Sequence, residues 1–328
     1  DQENLGSTND FLNYLQNNKK VLYPFYEIQD TLNFDIKVNN IYSLVDNVYF
    51  DSLYYDVQRQ FGNKKNLFLE LDHSIGIYNS TSKKRLNPQV TVLLSGFYND
   101  VVVDKENIIL GIEYFLNKEN KYKPRDLPSY ILERYTPEHM SSTMLSTFLS
   151  QFNVIDENDK TMLNEMISFG KLYYVVEQLL ICEKENIVLG YTKEQYDMIE
   201  ENEAFIYSFF LQNELFFKEG QLIKQKYLSE RPSTFEISQS VPGRIGRWMG
   251  WKIVSSFMRA EKYTLEDRLL EDDCLEQGWV LDGFPRNEIE VNSIAEKLGC
   301  TFTVADVLED GFIEKVKADV SEIKGIAY

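Results

Sequence analysis

The chain has 328 residues with 34 Lys and Arg against 52 Asp and Glu, a net charge of −18 at pH 7, which argues against a polyanion such as nucleic acid as partner. Its 43% hydrophobic and 14% aromatic residues suffice for a sizeable core, in one large domain or two of ordinary size. No run approaches the roughly 20 apolar residues of a membrane-spanning helix, and Asp1-Gln2-Glu3-Asn4 shows no signal-peptide pattern, although a signal or anchor removed upstream stays open.

Residues 1 to about 88 are rich in Asn, Asp, Tyr and Phe and read as helices with polar breaks, one of them amphipathic through Tyr49, Phe50, Leu53, Tyr54 and Val57. Residues 89–116 hold short β-branched runs separated by Tyr98-Asn99-Asp100 and by Asp104-Lys105-Glu106-Asn107, which predicts an antiparallel three-stranded meander. From there to about 260 the pattern is helical. Thr192 followed by Gln195 forms a capping box for a long helix carrying Glu203, Phe205, Phe209, Phe210 and Leu215, with the aromatic stripe as core. This order predicts an α+β fold, mostly helical with a small antiparallel sheet.

The segment Pro242-Gly243-Arg244-Ile245-Gly246-Arg247-Trp248-Met249-Gly250-Trp251-Lys252 is the most distinctive. Pro242 and Gly243 make a turn that opens a helix, and Gly243, Gly246 and Gly250 recur at i, i+3 and i+7 on one face. Glycine costs roughly 1 kcal/mol inside a helix relative to alanine, so that bare stripe implies close approach of another backbone. Arg244 with Trp248 and Arg247 with Trp251 sit one turn apart, at cation–π spacing. Close helix packing is the first reading, and ligand or partner contact by Arg244, Arg247, Trp248 and Trp251 the second.

These residues resemble the signature of the GldB family of gliding-motility proteins, which is itself similar to zinc peptidases of the zincin type. Val90-Thr91-Val92-Leu93-Leu94-Ser95-Gly96-Phe97, Val101-Val102-Val103 and Ile108-Ile109-Leu110-Gly111-Ile112-Glu113 resemble that family's central strands in order. Leu127-Pro128-Ser129-Tyr130-Ile131, Phe169-Gly170-Lys171, Gly190-Tyr191-Thr192 and Glu201-Asn202-Glu203 match its shorter motifs. The resemblance divides the chain into an extension over 1–45, a GldB-like domain over 46–268 and a tail over 269–328. It implies a zincin-like scaffold.

Zincins hold zinc through two histidines one helical turn apart with a glutamate between them, and this chain has only His73 and His139. Glu138-His139 reads instead as the first turn of a helix after Thr136-Pro137, where acidic groups suit the helix dipole. No Gly-x-Ser-x-Gly elbow is present, and Asp156-Glu157-Asn158-Asp159 lacks the rest of an EF-hand and reads as a solvated turn. Cys182, Cys274 and Cys300 are too scattered for a disulfide framework or zinc ribbon. No catalytic residue, metal or cofactor is expected, and the scaffold is taken as catalytically silent.

The tail carries a second resemblance. Gly278-Trp279-Val280-Leu281-Asp282-Gly283-Phe284-Pro285-Arg286, preceded by Glu271-Asp272-Asp273-Cys274, is similar to an adenylate kinase motif and implies an α/β-like fragment with Asp282 and Arg286 as remnants of a nucleotide site. The glycine-rich phosphate loop such kinases need has no counterpart here.

The expected function is therefore non-enzymatic. The GldB resemblance implies a component of the bacterial gliding and secretion machinery, anchored at the cell envelope and acting through contacts with other proteins of a membrane-associated assembly. The weakly matched first third and the kinase-like tail leave an alternative, an accessory subunit of a eukaryotic mitochondrial membrane complex.

Overall fold

The computed structural model describes residues 7–29, 33–62, 67–81, 84–180 and 183–262, together with Ile313. It is α+β and mostly helical, with thirteen α-helices and one three-stranded sheet among the described residues. The chain divides into two compact units, residues 1–73 with 86–151 and residues 74–85 with 152–328.

In the first unit, α1 (Thr8–Asn17), α2 (Lys19–Phe25), α3 (Phe34–Val45) and α4 (Val48–Phe61) precede α5 (Leu69–Thr81), within which the division falls. Ser7 caps α1 by accepting the Asp10 amide, and Asn47 caps α4 by accepting that of Tyr49. The expected amphipathic helix is α4: it buries Phe50, Leu53, Val57 and Phe61 and leaves Tyr49 and Tyr55 exposed. Phe11, Leu15, Leu22, Phe25, Val38 and Ile41 form a core with Ile109 of the sheet, so residues read from the sequence as an N-terminal extension build this unit's interior.

The sheet consists of β1 (Gln89–Leu93), β2 (Val101–Val103) and β3 (Asn107–Gly111) in the order β1-β3-β2. It is mixed, which corrects the antiparallel meander: β2 pairs antiparallel with β3, but β1 runs parallel to β3, with Gln89 opposite Asn107 and Leu93 opposite Gly111. Burial accounts for the choice. Ile108, Ile109 and Leu110 are buried on both faces, as an interior strand requires, whereas β1 and β2 are only partly covered edges. Asp104 shapes the β2–β3 turn by accepting the amides of Glu106 and Asn107. A short α6 (Ser129–Leu132) follows, and α7 (Met140–Ser150) continues from a 3-10 turn at Pro137–His139, where the sequence placed a helix start.

The second unit is built on two 18-residue helices, α8 (Met162–Leu179) and α13 (Ile245–Lys262), with α9 (Glu185–Leu189), α10 (Lys193–Glu201), α11 (Glu203–Gln212) and α12 (Gln221–Leu228) between them. The capping box of Thr192 and Gln195 opens α10. The single long helix expected there is two helices, because the Asn202 side chain donates to the Met198 carbonyl and the chain bends at that residue. Phe210 and Leu215 enter the core while Phe205 is left 56% exposed, so the predicted stripe is only partly interior.

Candidate functional site

The sequence-predicted residues lie at and just before the start of α13. Helix α13 begins at Ile245, so Gly243 and Arg244 precede it, and the three-glycine stripe reduces to Gly246 and Gly250. A Cβ on Gly250 would stand 1.8 Å from the Met166 carbonyl oxygen, and one on Gly170 would stand 2.1 Å from the Gly250 carbonyl oxygen, so α8 and α13 pack backbone on backbone. Gly246 lies against Leu228 and the Tyr227 carbonyl, and Gly243 against the Arg231 backbone.

Arg244 is buried and adopts φ +63°, a left-handed conformation rare for a side chain of its size. Its guanidinium donates to the carbonyls of Leu189, at 3.1 Å, and Gly190, at 2.6 Å, and pairs with Glu230 at 3.3 Å. Gly190 ends α9 at φ 69°, so Arg244 is a cation on the open carbonyls of a helix C-terminus. Arg247 donates to the Leu228 carbonyl at 2.6 Å and pairs with Glu230. The two arginines also hold the buried Tyr173 phenol: burial opposes its ionisation, yet the charges of Arg247 and Arg244 together bring it below the usual tyrosine value.

The expected arginine–tryptophan pairs do not form. Arg244 stacks on Tyr191 at 4.8 Å and Arg247 on Phe169 at 4.3 Å, because a left-handed residue outside the helix does not project along the i, i+4 row and because Arg247 reaches back to Leu228. Trp248 and Trp251 are buried, and their indole N–H groups donate to Glu200 and Glu177, with Lys252 near both rings and paired with Glu200 and Glu203. With the donors engaged by carbonyls and carboxylates, this cluster fastens α9, α12 and α13 together. Asp282 and Arg286 lie outside the described residues.

A second arrangement, in the first unit, was not legible in the sequence. Because β1 and β3 are parallel, they end at the same edge of the sheet, and Ser95 and Glu113 emerge beside each other. Glu113 is 1% exposed, and its Oε1 accepts the Ser95 amide at 2.8 Å, the Ser95 hydroxyl at 2.6 Å and the Phe97 amide at 2.9 Å, while Oε2 is buried without a hydrogen-bond partner. Burial raises the Glu113 pKa and the hydrogen bonds its carboxyl accepts only partly offset that, so it stays above the usual carboxylate range. Phe97 sits at φ +67°, held by its amide on Glu113 and by the Tyr114 hydroxyl on its carbonyl at 2.7 Å. Such backbone strain, of order 1–3 kcal/mol, persists only where surrounding contacts enforce it.

Glu113 and Phe97 line a cavity of about 210 Å³, walled further by Tyr114, Leu116, Leu132 and Tyr135. The Phe97 and Tyr114 rings meet edge to face at 5.4 Å, and Tyr114 contacts Tyr135 at 5.4 Å. Tyr135 donates to Asp100, and burial together with that neighbouring charge keeps its phenol protonated. A lone glutamate closing the apolar run Ile108–Ile112 and followed by Tyr-Phe-Leu was the signal that a charge would be buried here.

The histidines do not make a metal site. His139 is buried and bonds Thr136 within its own turn, through Nδ1 at 2.7 Å, and among the described residues no group of three His, Cys, Asp or Glu is placed to hold a metal ion. The zinc that the zincin resemblance implies has no fitting ligand set among them.

The family described as gliding motility protein GldB matches residues 2–276. The chain belongs to the GldB family. The match reaches further toward both ends than the motifs suggested, taking in α1 to α3, and it contains both the α8–α13 glycine contact and the Glu113 cavity of this GldB-family chain. No curated protein and no solved structure matches. Among the described residues no helix is long and apolar enough to cross a membrane.

Proposed function

We propose that this GldB-family protein is a non-catalytic component of a bacterial gliding and secretion machinery, held at the membrane of the cell envelope by an anchor outside the described residues and acting through contacts with other proteins. The family match over residues 2–276 carries this reading. The chemistry of the polar centres supports the non-catalytic part. Ser95 is fully buried, donates to Glu113 and accepts the Tyr98 amide, so its hydroxyl is engaged on both sides. Arg244 and Arg247 are committed to carbonyls and to Glu230. Among the described residues nothing favours a mitochondrial complex, a peptidase or a kinase instead.

The test is complementation in a gliding bacterium whose own GldB gene is deleted. Expression of this chain behind a lipoprotein signal is expected to restore colony spreading and to co-purify with membrane-associated partners. A membrane-localised, folded protein that restores no spreading overturns the motility role, and chelator-sensitive proteolysis by the purified chain overturns the non-catalytic one.

A further inference from the structure

We propose that the outer edge of β1 receives an extended segment of a partner protein, which joins the sheet as a further strand. This names a surface for the partner contacts proposed above and rests on that reading.

The hydrogen-bond register decides which backbone groups are free. The Gln89 amide donates to the Glu106 carbonyl, so in the parallel ladder Gln89, Thr91 and Leu93 turn their N–H and C=O groups toward β3. The far side of β3 keeps the same alternation: Asp104 donates to the Asn107 carbonyl and Gly111 to that of Asp100, so Asn107, Ile109 and Gly111 serve β2 and leave Ile108 and Leu110 for β1. Val90 and Val92 therefore turn their N–H and C=O groups away from β3, along the end of the sheet, where among the described residues none of the four has a hydrogen-bond partner. A row of donors and acceptors at strand spacing selects its own occupant, a second backbone in extended conformation.

The two edges of the sheet differ in protection. β2 is three residues long and is flanked by Asp100 and Asp104, and shortness and charge are what blunt an edge. β1 runs for five residues without a charge, glycine or proline, and its ladder to β3 has no bulge. The side chains are incomplete in the same direction. Val92 lies opposite Leu110, which is fully buried, yet is itself 39% exposed, so the apolar cover on that face stops short of β1. On the other face Leu93 packs against the α1–α3 core. A strand beside β1 extends both faces, and β-branched or aromatic residues at alternate positions cover Val92. Charge separates a partner from a second copy: two chains of net charge −18 repel, whereas a segment with basic flanks is attracted.

Synthetic peptides added to the whole chain test this. The probe is Lys-Thr-Val-Thr-Val-Thr-Val-Lys, N-methylated at every second residue so that it keeps one hydrogen-bonding edge and cannot stack on itself. It is expected to bind by calorimetry and to slow hydrogen exchange at the Val90 and Val92 amides. The same peptide N-methylated at every residue keeps the side chains without the edge and should bind about tenfold more weakly or not at all. Val92→Pro removes an N–H that the ladder does not use, so the protein should fold and bind the one-edged peptide about tenfold more weakly, while Val92→Thr, which keeps the N–H and the branched shape, should bind it normally. Equal binding of the two peptides, undiminished binding by a folded Val92→Pro protein, or no binding of the one-edged peptide at millimolar concentration overturns the proposal. So does self-association of the chain that Val92→Pro abolishes, which assigns the edge to a second copy. Binding is read here without colony spreading, so its failure leaves the gliding role standing, and a failed complementation leaves the edge result standing.

Discussion

The Gly250 carbonyl oxygen of α13 lies 2.1 Å from where a Cβ on Gly170 of α8 would stand, so these two glycines let the two 18-residue helices touch through their backbones. A Cβ on Gly250 fares worse, meeting the Met166 carbonyl oxygen at 1.8 Å. Neither obstacle is the flexible end of a side chain, so a methyl group is accommodated only by moving a helix.

Gly250→Ala and Gly170→Ala are therefore each expected to destabilise the second unit by about 1–3 kcal/mol or more, despite alanine's better helix propensity. Thermal unfolding of each variant checks this, and an unchanged or raised Tm in either would contradict backbone contact at that position.

Arg244 holds the C-terminus of α9 through two separate N–H groups and Glu230 through a third. Lysine retains the charge but not the fork, so Arg244→Lys should cost about 1–3 kcal/mol in urea unfolding. Equal stability of Lys and Arg here would mean that charge alone matters.

Glu113 has a folded-state pKa raised by burial above its unfolded value. Its contribution to stability is thus fully present below the ordinary carboxylate range and is lost as pH rises through the raised value, with a slope of up to about 1.4 kcal/mol per pH unit. Glu113→Gln should remove that slope, so the variant gains on the wild type as pH rises through this window. Parallel stability–pH curves for the two proteins would show that Glu113 titrates normally.

Trp251 donates its indole N–H to Glu177, whose pKa is also raised by burial and lowered in part by that hydrogen bond. Removing the donor with Trp251→Phe pushes Glu177 higher still. The loss should be about 1–3 kcal/mol where Glu177 is ionised and smaller at acidic pH, where a neutral carboxyl makes less of the bond. A loss independent of pH would assign the tryptophan to packing alone.

The class of fold and the identity of the family were legible along the chain, because both rest on local pattern. Amphipathic spacing located α4, the pairing of Thr192 with Gln195 located the start of α10, and glycines at i and i+4 in Gly246 and Gly250 marked a face that another backbone covers. The sequence misread what depends on partners distant along the chain. Short β-branched runs joined by turns suggest neighbours in order, and nothing local says that β3 inserts between β1 and β2; that choice comes from the burial of Ile108, Ile109 and Leu110 on both faces. Spacing in the same way paired arginines with tryptophans, whereas Arg244 turned left-handed to reach the end of α9. The parallel pairing is also what brings Ser95 to Glu113 and opens the cavity beside them. That environment is set by the fold, since the Glu113 pKa is raised by the desolvation that packed neighbours impose and not by the residues adjacent to it in the chain.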